Sequence, residues 1–411
     1  MLAPERRTRA DVLAACGIAV LVVVSAAVIW LTGDAHGTES AVADTPVPPA
    51  EPALAVPDTL VEAWRADSDT TPTPVVAGGV AVTGNGDTVT GRDAVTGQEL
   101  WHYRRDRALC GVVGAWNTAV AVYPDGRGCG QVTQLDGSTG IRQAQRSSDA
   151  DDPVVLSQDG TYLTSFGDSR LEVWRSDLVR TLEYGRVDAP VNPGAQPRSG
   201  CTLLSAASSS SRLSVLESCP GDPAIRLSIL NPAPKENTAP QEYGSVVLGT
   251  EGDTADARVL AVSGERTAVY LPATADAAAA VVVYDGTGVE SARFPAPADV
   301  SPTTAVERTG SFFSWWTGSQ VIALRTTDFT PAWTVQDALG PGTQMAGRFL
   351  VPVTGAVAVI DTTTGTEVER IPVSRNEEPI RMGGRPITSA ALGDTLLEQR
   401  GDELVALRAD G

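Results

Sequence analysis

A chain of 411 residues is long enough to bury a large core and to hold two or three domains. With 42% hydrophobic and 20% charged residues it is too polar for a polytopic membrane protein and too apolar for a disordered one. Thirty-one basic against 50 acidic residues leave a net charge of -19, a field that repels nucleic acid and anionic lipid.

Residues 1–11, MLAPERRTRAD, carry Arg6, Arg7 and Arg9. The segment 12–31, VLAACGIAVLVVVSAAVIWL, then runs without a charge, and at 1.5 Å per residue it reaches about 30 Å, the thickness of a bilayer core. The basic flank precedes the span, while Asp34 and Glu39 follow it. By the positive-inside rule residues 1–11 form a cytoplasmic tail, and the rest lies outside a cell membrane crossed once. A cleaved signal would have a shorter apolar core ending on small residues, whereas this one ends on Ile29-Trp30-Leu31. Leu13-Ala14-Ala15-Cys16 looks like a lipoprotein box, but its apolar run follows the cysteine instead of preceding it. An uncleaved anchor is expected.

The stretch 32–57 is proline-rich and poor in large apolar residues, so it is expected to be an extended extracytoplasmic linker that packs against nothing, with His36 solvated. Outside the span four cysteines remain, in two close pairs: Cys110 with Cys129 and Cys201 with Cys219. Export permits disulfides. Four cysteines allow three connectivities, and local pairing closes two short loops. Zinc is the rival, but neither pair has CxxC spacing and no histidine is near the second. Two local disulfides are expected, each worth on the order of 3 kcal/mol by loop entropy.

Beyond 57 the hydrophobic period is two, in runs of four to eight residues broken by Gly, Asp and Asn. GRDAVTGQELW (91–101) has an apolar strand, a polar turn with Thr-Gly, then a more polar strand. QVTQLDGSTGIRQAQR (131–146), VVVYDGTGVESARF (281–294) and VAVIDTTTGTEVERI (357–371) repeat it, and 171–184 and 321–335 keep the element without the glycine. The polar residue at the strand end recurs at Asp93, Asp136, Asp177, Asn231, Asp285, Asp328, Asp361 and Asp410, at intervals of 33 to 54 residues. A period near 45 with about four strands per unit predicts an all-β, eight-bladed β-propeller over 58–411 behind the single N-terminal transmembrane helix. Seven blades are the runner-up, and a β-sandwich fits eight similar hairpin units poorly.

After Pro386 the chain supplies three strands and stops, while 59–67 is a strand without a local partner. Pairing 59–67 with the blade of 386–410 closes the ring and removes an open edge. At each Thr-Gly turn glycine accepts positive φ, an Asp or Thr oxygen satisfies turn N–H groups, and Trp101 can pack on a neighbouring blade.

Asp93-Ala94-Val95-Thr96-Gly97-Gln98-Glu99-Leu100-Trp101 resembles the repeat of quinoprotein-type eight-bladed propellers. That family includes pyrroloquinoline-quinone (PQQ) dehydrogenases and an outer-membrane assembly lipoprotein of the same fold. The chain from the anchor onward also resembles a group of Ala/Val-rich membrane-anchored proteins of mycobacteria and related actinobacteria, which implies a location and a fold. For the dehydrogenases the resemblance would imply an adjacent cysteine pair and a tryptophan plane gripping the quinone, with calcium on Glu, Asn and Asp. This chain has no adjacent cysteines and no sequence cluster that stands out as a calcium cage. Neither a quinone, another cofactor nor a metal site is expected.

His102 is the single histidine beyond the linker, which argues against His-based metal clusters and a Ser-His-Asp triad; a surface or packing role is expected for it. GNG (84–86) and GRGCG (126–130) lack the spacing and the lysine of a phosphate loop. Fifty acidic residues guarantee accidental carboxylate pairs, so no catalytic residue is named. Arg104, Arg105 and Arg107 make a basic point, and the excursion NPAPKENTAPQ (231–241) carries the sole lysine, Lys235; these are the candidate partner contacts, against the plainer expectation of a solvated loop. In SFFSWWTG alternation puts Phe313 and Trp315 on one strand face and Phe312 and Trp316 opposite, a packing pattern with a ligand platform as rival. The expected function is a non-enzymatic, membrane-tethered binding or scaffold protein of the cell envelope, with an envelope protein or cell-wall component as partner. The alternatives are an enzyme on envelope carbohydrate, of glycosidase or lyase type, and a small-molecule receptor.

Overall fold

The structure is a computed structural model that describes residues 8–33, 36–188, 190–248, 256–377, 380 and 384–410. Arg6, Arg7 and Asp34, which entered the orientation expected above, lie outside the described residues. A helix runs over Arg9–Thr32, capped by Thr8, whose hydroxyl accepts from the Asp11 amide while the Asp11 carboxylate accepts from the Thr8 amide. It is long and apolar enough to cross a membrane and none of its span is buried against the rest of the chain. No hydrophobic stripe distinguishes one face, as befits a helix that is apolar all round.

Among the described residues eight antiparallel sheets follow, seven of four strands and one of five. Blades 1 to 7 occupy 75–105, 111–147, 155–185, 202–247, 258–295, 305–336 and 343–372. Blade 8 takes three strands from 388–408 and its outer strand from Val61–Asp67, which runs antiparallel to Glu403–Arg408. The fold is therefore an eight-bladed β-propeller. Among the described residues its core is divided into eight apolar clusters, each shared by two neighbouring blades. Alternation explains the division, because every strand sends successive side chains to opposite neighbours. Phe313 and Trp315 pack toward blade 5, while Phe312 and Trp316 pack toward blade 7; all four are buried.

The recurring turn joins adjacent blades. Asp93 Oδ1 accepts from the Val95 and Thr96 amides, and Asp136, Asp285 and Asp361 hold their turns in the same way. On each such turn in blades 1, 2 and 7 lies a tryptophan from the outer strand of the preceding blade. Trp64 Nε1 donates to Ala94 O, Trp101 Nε1 to Gly137 O and Trp333 Nε1 to Thr362 O, at 3.0, 2.8 and 3.3 Å. The glycines leave room for the rings. A Cβ on Gly140, at φ +74, would come 2.7 Å from Trp101 Cγ. Gly86, at φ +59, has open space around its Cβ position. Gly140→Ala is expected to cost about 3 kcal/mol from left-handed strain plus clash, against about 1 kcal/mol for Gly86→Ala, which meets the strain alone. Chemical unfolding of the two variants measures the difference, and equal costs would remove the packing role of the turn.

The linker is not free. Thr38–Ala41 pairs antiparallel with Glu99–Arg105 as a fifth strand on blade 1. The Ala43 and Val47 amides then donate to Thr139 O and Ser138 O on the turn of blade 2. Ala43 and Val47 pack on the cluster between blades 1 and 2, and Ala53 and Val56 on that between blades 7 and 8. The expectation that this segment packs against nothing is thus corrected. Sparse apolar residues prevent it from folding alone, but blade 1 offers unpaired strand-edge groups and the turn glycines allow close approach. Pro48 O lies where a Cβ on Gly79, at φ +87, would meet it at 2.3 Å. The resulting strap crosses the face on which the first and second strands of each blade turn, and roofs a cavity of about 870 Å³ over blades 7, 8, 1 and 2.

Candidate functional site in the central channel

Where the strap does not reach, the inner strands of blades 3 to 6 wall a second cavity of about 450 Å³, within the range of small-ligand sites. The inner strand meets the channel edge-on, so residues from both its faces border the space. Glu307 and Arg308 come from Ala305–Thr309 of blade 6, Arg258 from Arg258–Ser263 of blade 5 and Asp159 from the turn after Val155–Gln158 of blade 3. Asp159 is occupied: its carboxylate accepts from Ser208 Oγ at 2.6 Å and from the Thr161 and Tyr162 amides. Glu307 is half-buried and borders the channel, and burial pushes its carboxyl up to about 7. Among the described residues no hydrogen bond or ion pair reaches it. Neither Arg258 nor Arg308 has a carboxylate within ion-pair distance there; the Arg308 guanidinium lies 6.0 Å from the Phe313 ring centroid.

Other buried charges are matched. Glu172 accepts from Ser148 Oγ, Trp174 Nε1 and the guanidinium groups of Arg146, Arg170 and Arg180 at 2.7–3.2 Å. Burial alone would raise its carboxyl, but the three arginines outweigh it and hold it at about 2. Glu398 pairs with Arg375 at 2.8 Å and Arg400 at 2.7 Å, and again the arginines overcome burial to lower the carboxyl. Such groups stabilise the blades and leave no free acid or base.

The residues singled out in the sequence do not gather into one site. The cysteines form Cys110–Cys129 at blade 2 and Cys201–Cys219 at blade 4. Cys201, Glu217 and Cys219 bring three potential metal ligands together. Both thiols are consumed in the bridge, and Glu217 accepts from Tyr184, Arg198 and Ser228, so this is a buried polar network. Arg104 pairs with Glu39 of the strap at 3.6 Å and with Asp87 at 3.3 Å. Arg105 is buried with its guanidinium 5.3 Å from the Tyr123 ring, and Arg107 donates to Pro124 O. Lys235 is exposed on blade 4, in a loop anchored to blade 3 by the Glu183 amide donating to Asn237 O and Thr181 Oγ1 donating to Pro232 O. His102 sits against Glu99, Nδ1 to Oε1 at 2.6 Å, and exposed His36 meets the Trp30 ring edge-on. Glu307, Arg258 and Arg308 escaped the sequence reading because only ring closure shows which strand borders the channel. The adjacent Glu-Arg pair inside a short inner strand was the available signal.

No family model and no curated protein matches the chain. Solved structures do. BamB from Moraxella catarrhalis is 13% identical, with a TM-score of 0.51 over 85% of this chain and 100% of that one. The C-terminal WD40 domain of Sif2 is 11% identical, with a TM-score of 0.52 over 87% and 100%. At these identities the likeness is one of fold, the β-propeller, and extends to no quinone-specific feature.

Proposed function

We propose that the chain is a non-enzymatic binding or scaffold protein of the cell envelope, held in the membrane by its N-terminal helix with the propeller outside. The observation that carries this is the strap: within five residues of the helix cap Gly33, the chain is already paired to blade 1 at Thr38. A membrane-length helix coupled so closely to a closed ring suits presentation of a defined face to a partner. Acid–base chemistry on carbohydrate is disfavoured, because one of the two channel carboxylates, Asp159, is engaged by Ser208 and turn amides. The charge pattern at the N-terminus, Arg6, Arg7 and Arg9 before the span, supports an outside propeller.

Two measurements test this. An export-dependent reporter fused after Gly411 is expected to be active and a cytoplasm-dependent one silent; the reverse overturns the topology. Crosslinking in native membranes is expected to capture a discrete envelope protein or cell-wall fragment through the propeller. Capture of nothing beyond the membrane helix's neighbours would overturn the scaffold role.

A further inference from the structure

The channel cavity of blades 3 to 6 differs from every other charged cluster described above in being unmatched. Elsewhere arginines are seated on carboxylates, as Arg146, Arg170 and Arg180 are on Glu172. Here Arg258, Arg308 and Glu307 border the same space of about 450 Å³ without such partners among the described residues, while Asp159, the second carboxylate there, is held by Ser208 and turn amides. Of these, half-buried Glu307 without a counter-charge costs free energy that a complementary ligand recovers, while half-buried Arg258 and exposed Arg308 keep their charges available to it. With Asp159 engaged by Ser208 and turn amides, two guanidiniums and one carboxyl without a partner define the complement: a molecule with a carboxylate for the guanidiniums and an ammonium for Glu307. Arginine's planar fork suits a carboxylate, and Glu307 offers the acceptor an ammonium needs. Ser205, Ser157 and Gln158 border the same cavity and can serve amide groups, with Val155 and Val306 for short apolar side chains.

We propose that this cavity binds a small amino-carboxylate, a free amino acid or short peptide, with its carboxylate on Arg258 and Arg308 and its ammonium on Glu307. The site is independent of any protein partner, since it lies inside the ring, and its failure would leave the scaffold role untouched. The raised affinity of Glu307 for a proton fits a carboxyl that lacks its counter-charge, and an ammonium ligand would favour its ionised form.

The test is calorimetric titration of the full chain in detergent with alanyl-alanine, set beside N-acetyl-alanine, which lacks the ammonium, alaninamide, which lacks the carboxylate, and succinate. Alanyl-alanine is expected to bind, and each of the first two controls to bind at least about tenfold more weakly, the loss of one charge-assisted contact. Glu307→Gln and Arg308→Gln are each expected to lower alanyl-alanine affinity by at least about tenfold. Arg142→Gln, on the outer strand of blade 2, is expected to leave it unchanged. Glu307→Gln is near-isosteric and removes a confined charge, so it is expected to fold; retained thermal unfolding confirms that the loss is one of binding. No heat of binding up to about 10 mM would overturn the proposal, as would affinity indifferent to both substitutions. Succinate binding more tightly than alanyl-alanine would overturn it in favour of a purely anionic ligand.

Discussion

A chain shortened to begin at Thr70 is expected to lose about 5 kcal/mol or more of stability relative to one beginning at Glu51. The missing segment supplies the outer strand of blade 8 and more. Leu60 is buried between blades 7 and 8, and Trp64 lies on the Gly97 turn of blade 1 with its indole N–H on Ala94 O. Gln399, itself buried, donates to Ser68 O at 2.7 Å and would be left without that acceptor. Removing the segment therefore exposes apolar faces, opens a sheet edge and orphans buried polar groups together. The chain beginning at Glu51 keeps all of this but loses the Thr38–Ala41 strand, so against the full chain it is expected to show a smaller loss, about 1–2 kcal/mol. Thermal unfolding of the three chains decides the order. Equal stability of the Thr70 and Glu51 chains would refute closure by the N-terminal strand.

Acid is expected to destabilise the ring through its matched carboxylates. Glu172 has its folded-state carboxyl at about 2, below the ordinary 4.5, so it binds its proton less tightly folded than unfolded. Its contribution is fully present above about 4.5 and is lost as pH falls through the interval down to about 2. The difference corresponds to on the order of 3 kcal/mol. Glu398 acts in the same direction. Glu172→Gln is expected to be several kcal/mol less stable than the natural chain at pH 7, since it leaves three guanidiniums around a neutral amide, and the gap is expected to narrow by about 3 kcal/mol as pH falls to about 2. A gap independent of pH would show that the carboxylate charge is not what the arginines stabilise.

What could be read from the residues alone was the part with a repeating physical signature. Asp93, Asp136, Asp285 and Asp361 mark a turn whose hydrogen bonds lie within a few residues, so the local sequence contains the whole interaction. Trp101 is similarly legible, since a large aromatic after such a turn has to bury its ring. The strap was not legible. Thr38–Ala41 reads as a polar tetrapeptide, and its pairing is specified by the open edge of blade 1, sixty residues away, through backbone groups that every sequence carries. Arg104 illustrates the same limit: it reads as an exposed cation until Glu39 is brought beside it by that pairing. The channel charges depend on a still longer-range fact, the radius of a closed ring, which no single blade encodes.

The strap also sets a length. Thr38 lies five positions beyond Gly33, a span of at most about 18 Å. Gly37 O accepts the Asp106 amide, so the Asp106 corner between blades 1 and 2 is moored beside the end of the helix. An unpaired linker running to Val61 would have allowed roughly 100 Å of excursion. If the helix lies in a bilayer, the ring can pivot on that corner but cannot wander far from the end of the helix. In that case whatever this protein meets is met within a shallow layer at the membrane surface.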